Sequence, residues 1–302
     1  MIKMIKVKAM SFMFRTIGLF VVISFSTSLC VGQGKVLEGQ SVKSAILGKE
    51  VNYTVYLPAD YDESKRSYPV IYLLHGFGGN ENVWVKYGLI DHFMDSAIQA
   101  AEIPPSIVIM PDGGQHFYIN DFKGVSKFED MFFQEFIPKV EQAYRIKKTK
   151  DNRAVVGNSM GGYGAFLYAV KHNDMFGTCV PLSAAIISLE DPMTKSPMWK
   201  VMAKNLYGMD IEAENPDTSH WDSNNPMKLI QKIPNDKLKT RFYFDIGDDD
   251  FLYTGNANAH VTLRNMKVDH EFRIHDGGHD WTFWRSSIPG FLRYVGLGFM
   301  RQ

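Results

Sequence analysis

The chain is poor in cysteine, with Cys30 and Cys179 the only two in 302 residues. It also lacks any excess charge, since 33 basic side chains face 33 acidic ones. The second absence argues against nucleic acid as a partner, because a DNA or RNA binder carries a basic surplus to neutralise phosphates. No internal repeat or low-complexity tract occurs. Hydrophobic residues make up 45% and charged residues 22%, the balance of an ordinary globular protein able to bury a large core.

Only the N-terminus departs from this composition. Lys3, Lys6, Lys8 and Arg15 precede the apolar run Ile17–Phe25, and small and polar residues follow up to Gly32. A basic region, a short apolar stretch and small residues describe a secretory signal peptide over 1–32, with export to periplasm or medium. The run is short and interrupted by serine, so stable membrane insertion after cleavage is not expected. The mature chain 33–302 would then keep one cysteine and form no internal disulfide. Cys179 lies in the apolar stretch Gly177–Pro181 and reads as a buried small hydrophobe.

Beyond the leader, short apolar runs alternate with helical patterns. Val51–Leu57 alternates as a half-buried strand does, while Tyr68–Leu74, Ser106–Met110, Arg153–Gly157, Thr178–Leu182, Thr240–Ile246 and Glu271–His275 read as further strands. Helical spacing covers Asn80–Ala101, Ser126–Tyr144 (Ser126 as cap), Gly161–His172, Ala257–Met266 and Ile288–Met300. Residues 191–236 are rich in methionine, proline and asparagine, show no clean period, and read as a cap-like insertion. Strands apolar on both faces alternating with helices predict an α/β fold with a mostly parallel sheet covered on both sides. Ligands of such sheets sit beyond the carboxyl ends of the strands.

Several reactive side chains fall at those ends. Ser159 stands in Gly157-Asn-Ser-Met-Gly161, between a strand and a helix, where a sharp turn can hold a nucleophile proud of the surface. His279, in the glycine-bearing loop after the last strand, is the best-placed general base; His75, His172 and His260 are poorer candidates. An acid must orient that imidazole, and Gly247-Asp-Asp-Asp250 offers three. Spacing favours Asp250 and leaves Asp249 and Asp248 as alternatives. Backbone N–H groups of Met160 and Phe77 are the candidate donors to an oxyanion. Tyr118, Trp221, Trp281 and Trp284 are candidates for a wall against a sugar or cinnamoyl ring, with packing the simpler role for each. His275 and His279 have a spacing that suits zinc on a helix, but here it spans a strand end and two glycines. No metal or cofactor is expected.

Taken together, Leu73-Leu-His-Gly-Phe-Gly-Gly79, Pro111-Asp-Gly113, Phe132–Pro138 with Glu141 and Tyr144-Arg145, Gly157–Gly162 and Gly278-His-Asp-Trp281 resemble the esterase D-like branch of α/β-hydrolases. That branch includes the feruloyl and acetylxylan esterases of carbohydrate esterase family one and the S-formylglutathione hydrolases. The resemblance spans residues 45–300 and implies an α/β-hydrolase fold, Ser159 as nucleophile, His279 as base, Asp250 as acid and Phe77 and Met160 as oxyanion donors. It implies a serine esterase, and the leader directs the expectation toward acylated carbohydrate or a related small ester as substrate. S-formylglutathione hydrolysis and acyl transfer are the alternatives within this chemistry. A non-catalytic carbohydrate-binding protein on a hydrolase fold is the competing class, and the intact serine, acid and histidine speak against it.

Overall fold

The computed structural model describes residues 32–301, so the leader expected over 1–32 lies, but for Gly32, outside the described residues. Eight strands form one sheet: β1 Lys35–Ser44, β2 Lys49–Leu57, β3 Val70–Leu74, β4 Ile107–Pro111, β5 Arg153–Asn158, β6 Thr178–Leu182, β7 Arg241–Gly247 and β8 His270–His275. Their order is β1-β2-β4-β3-β5-β6-β7-β8. β2 runs against both its neighbours, and every pairing from β4 to β8 is parallel. The strands β3, β4, β5 and β6 are buried along their whole length, as their continuous apolar runs predict. β1 escapes sequence reading because Lys35, Glu38, Gln40 and Lys43 leave it a polar, largely exposed edge without a clean alternation.

The helices are α1 Val83–Lys86, α2 Ile90–Gln99, α3 Phe128–Met131, α4 Ile137–Ala143, α5 Met160–Lys171, α6 Pro197–Tyr207, α7 Ser219–Ser223, α8 Pro226–Ile230, α9 Tyr253–Asn265 and α10 Trp281–Met300. Three differ from the sequence expectation for local reasons. The segment 80–101 splits into α1 and α2 because Leu89 adopts φ 54°, and a Cβ on Gly88 would lie 2.5 Å from the Trp84 carbonyl oxygen. The long helix expected over Ser126–Tyr144 carries a π turn, Phe132–Phe136, just before Pro138, which has no N–H to continue the α ladder. Ser126 does not cap it; its hydroxyl meets His116 Nδ1 at 3.1 Å, and Lys127 occupies the cap position. α10 begins seven residues earlier than the expected Ile288, because Asp280 accepts from the N–H groups of Thr282 (2.7 Å) and Phe283 (3.1 Å).

One apolar cluster fills the face of the sheet covered by α5, and another the face covered by α2 and α10. α5 is buried on nearly every side, so its moderate sequence period understates its depth. Residues 191–236 fold as short helices whose Trp199, Tyr207, Trp221 and Ile230 join the α5-side cluster. Cys179 is buried there, and burial pushes its thiol well above the ordinary range, leaving it an inert core residue.

Beneath the sheet a charged pair is also buried. Arg153 Nε and one terminal nitrogen donate to Glu141 at 2.7 and 2.9 Å, and Tyr72 donates its hydroxyl to the same carboxylate at 3.0 Å. Removing one partner leaves the other charge without compensation in the core. Glu141→Ala is therefore expected to cost about 3–5 kcal/mol. Calorimetry should show a melting temperature lowered by roughly 5–10 °C.

Candidate active site

β3 and β5 lie side by side, but the chain leaves β3 toward β4 on one flank and β5 toward β6 on the other. Their carboxyl ends therefore open a crevice, the place where parallel sheets bind ligands. Ser159 occupies the turn from β5 into α5 with φ 56° and ψ −120°, a backbone state unusual for a side-chain-bearing residue. Its N–H donates to the Leu182 carbonyl at 2.9 Å, and its carbonyl accepts from Ala185 and Tyr163, each at 3.0 Å. The turn closes only on glycine: a Cβ on Gly157 would lie 2.4 Å from the Gly161 oxygen, and one on Gly161 would lie 2.4 Å from the Leu74 oxygen.

Three side chains far apart in sequence meet here. The Ser159 hydroxyl donates to His279 Nε2 at 2.9 Å, and His279 Nδ1–H donates to Asp250 Oδ2 at 2.8 Å. The other Asp250 oxygen accepts from Leu252 N–H at 2.8 Å, and the carboxylate is fully buried. Phe251 and Trp284 flank the imidazole, with ring centroids 4.5 and 5.0 Å from it. Asp248 and Asp249 point outward; with Asp276 they form an exposed acidic cluster, and Asp248 accepts from Gly277 N–H at 3.1 Å. His275 serves a different partner from His279: its Nε2 lies 3.1 Å from Asp245, and its ring stacks on Phe283. The two histidines do not converge as metal ligands.

The loop after β3 faces this line of residues. Buried His75 accepts from Gly113 N–H at Nε2 (2.8 Å) and so carries its proton on Nδ1, which donates to the Gly76 carbonyl at 2.8 Å. Phe77 and Ser159 share one cavity of about 220 Å³ with Gly76, Asn158, His279 and Trp281. Neither the Phe77 nor the Met160 N–H donates to another group among the described residues, which leaves both free for an acceptor in the cavity.

Of the four aromatic residues expected at the wall, Trp281 and Trp284 line the cavity, joined by Tyr87, whose ring centroid is 5.9 Å from that of Trp281. Tyr118 and Trp221 do not. Tyr118 is wholly buried, and its hydroxyl donates to the His75 carbonyl at 2.9 Å, so it props the loop from behind. Trp221 packs edge-on against Trp199 and Tyr207 inside the 191–236 segment, where an indole finds more apolar surface than at the rim. Sequence reasoning missed Tyr87, Phe251 and Asn158. Asn158 is buried on the cavity wall, and its Oδ1 has no partner among the described residues. Its signal was a lone amide closing the strand directly after the apolar run Ala154–Gly157.

A family model described as putative esterase matches residues 44–295. The chain belongs to this family. An acetyl esterase of Caldicellulosiruptor saccharolyticus is 26% identical over 262 residues, covering 83% of this chain and 95% of the relative. An endo-1,4-beta-xylanase/feruloyl esterase of Xylanibacter ruminicola is 37% identical over 141 residues, 43% of this chain and 19% of that longer protein. Among solved structures, a ferulic acid esterase superposes with a TM-score of 0.75 at 32% identity, covering 89% of this chain and 99% of its own. The esterase has the α/β-hydrolase fold and is a serine carboxylic-ester hydrolase. This membership decides against the competing class of non-catalytic binding protein.

The cap of α10 adds a pH dependence next to the site. Backbone N–H donation, first from Phe283, holds the Asp280 carboxyl below its ordinary value. A depressed folded pKa stabilises the fold above the unfolded value, and that contribution is lost as pH falls through the folded one. Asp280→Ala is expected to lower the melting temperature at neutral pH by about 2–4 °C. Thermal scans should show this difference shrinking as the pH is taken below the aspartate range.

Proposed function

We propose that the protein is an exported esterase that removes feruloyl or acetyl groups from polysaccharide-derived esters through an acyl-enzyme on Ser159. The observation that carries the reading is the unbroken hydrogen-bond line Asp250–His279–Ser159 on the floor of a cavity walled by Tyr87 and Trp281. His279 takes the hydroxyl proton as Ser159 Oγ attacks the ester carbon, while buried Asp250 holds the imidazole in the Nδ1–H tautomer and stabilises its cation. The oxyanion of the tetrahedral intermediate accepts from Phe77 and Met160 N–H, aided by the N-terminus of α5. Collapse expels the alcohol with the proton from His279, and a water activated by the same nitrogen then frees the acid.

The aromatic wall supports a substrate with a flat ring or a sugar face, and the relatives named for acetyl and feruloyl esters support the two acyl groups. The basic and apolar leader supports export. Acetylated xylan, methyl ferulate and S-formylglutathione, assayed side by side with the mature chain, test the substrate class. A higher kcat/KM for S-formylglutathione than for both other esters overturns it. Export is tested by N-terminal sequencing of protein recovered outside the cytoplasm, which should begin at Gln33.

A further inference from the structure

α6 has two apolar faces, and the core covers one fully and the other only in part. Trp199, Ala203 and Tyr207 recur every four residues and are buried. On the other side Met198 and Val201 are 58% and 59% exposed, with Met202 and Leu206 half-buried beside them. Together with Phe77 and Gln115 they line a groove of about 470 Å³. Exposed apolar side chains gathered around a concavity mark a place where an apolar ligand displaces water. Thioethers suit such a wall because they adapt to ligand shape and make favourable contacts with aromatic rings. Phe77 also borders the Ser159 cavity, so groove and cavity share a partition.

We propose that this groove receives the acyl group of the ester and that the alcohol departs over Trp281. This rests on the esterase mechanism above and assigns the two sides of the site. In acylation the Ser159 Oγ–carbon bond forms and the carbon–oxygen bond to the alcohol breaks. The proton leaves Ser159 for His279 Nε2 and must then reach the departing oxygen. One nitrogen handles both transfers, so that oxygen comes within hydrogen-bond reach of His279 Nε2. The alcohol therefore lies on the flank that His279 borders, where Trp281 and Tyr87 offer a face for a sugar ring. The acyl substituent on the tetrahedral carbon projects away from His279, and the groove along α6 borders Phe77 without touching His279. It is far roomier than acetyl requires and suits a phenylpropenoyl or medium-chain acyl group.

p-Nitrophenyl octanoate and p-nitrophenyl acetate share one alcohol, so the ratio of their kcat/KM values reads acyl recognition alone. Val201→Trp fills the groove and Val201→Asp charges it, both at an exposed position where folding can be verified by thermal melting. Each is expected to lower the octanoate-to-acetate ratio by about fivefold or more, chiefly through KM. A smaller fall in both variants, or a wild type unable to hydrolyse the octanoate, overturns the assignment. Trp281→Ala is expected instead to lower the preference for feruloylated arabinose over methyl ferulate, which differ in the alcohol; loss of acyl discrimination in that variant also overturns it. A wild type that cleaves the octanoate but no feruloyl ester sinks the feruloyl reading and leaves the groove standing.

Discussion

Ser159→Ala is expected to lower kcat for p-nitrophenyl acetate by about 10⁴- to 10⁶-fold, close to the loss seen when the nucleophile of a serine hydrolase is removed. The size follows from chemistry, because without Oγ no acyl-enzyme forms and only direct attack by water, helped by the oxyanion donors, remains. The fold should tolerate the change. Alanine retains the Cβ, so the strained φ of 56° weighs on both residues alike, and the main-chain bonds to Leu182, Ala185 and Tyr163 persist. Stopped assays with the variant, together with its failure to react with a fluorophosphonate, would establish the role. Turnover within tenfold of wild type, about 1.4 kcal/mol in barrier, would remove Ser159 from the mechanism.

Asp250→Asn is expected to lower kcat by about 10⁴-fold with little change in fold. An amide can donate to His279 Nδ1 and so favour the tautomer with the proton on Nε2, which cannot accept the Ser159 proton. Asp249→Asn supplies the contrast. Its carboxylate is exposed and contacts neither His279 nor Ser159, so an effect of about twofold or less is expected. Equal losses in the two variants would mean that charge near the imidazole matters and the 2.8 Å contact does not.

Much of this site is legible in the sequence. Gly157 and Gly161 carry the steric demand of the turn in their own identity, and the apolar runs of β3 and β5 place that turn and the His75–Gly79 loop at strand ends, which the parallel pairing of β3 with β5 then sets side by side. Where reading failed, the competing signals were equal at short range. The terminal helix was expected from Ile288, whereas the capping bonds that start it are made by Asp280. β1 offered too few apolar positions to be distinguished from a loop.

Sequence by itself determined the alternation of strands and helices, the turn that raises Ser159, and the two loops that bring a histidine and a run of acids to the same rim. Those are local consequences of glycine sterics and apolar periodicity. Tertiary structure alone decided which aspartate turns inward, that Tyr118 and Trp221 pack inside while Tyr87 and Trp281 face the cavity, and that α6 leaves an apolar face beside Phe77. Adjacent acids and aromatic rings of like chemistry differ only in the direction their side chains take. That direction is set by partners in space, such as His279 for Asp250 across 29 residues and Tyr207 of α6 for Trp221 of α7.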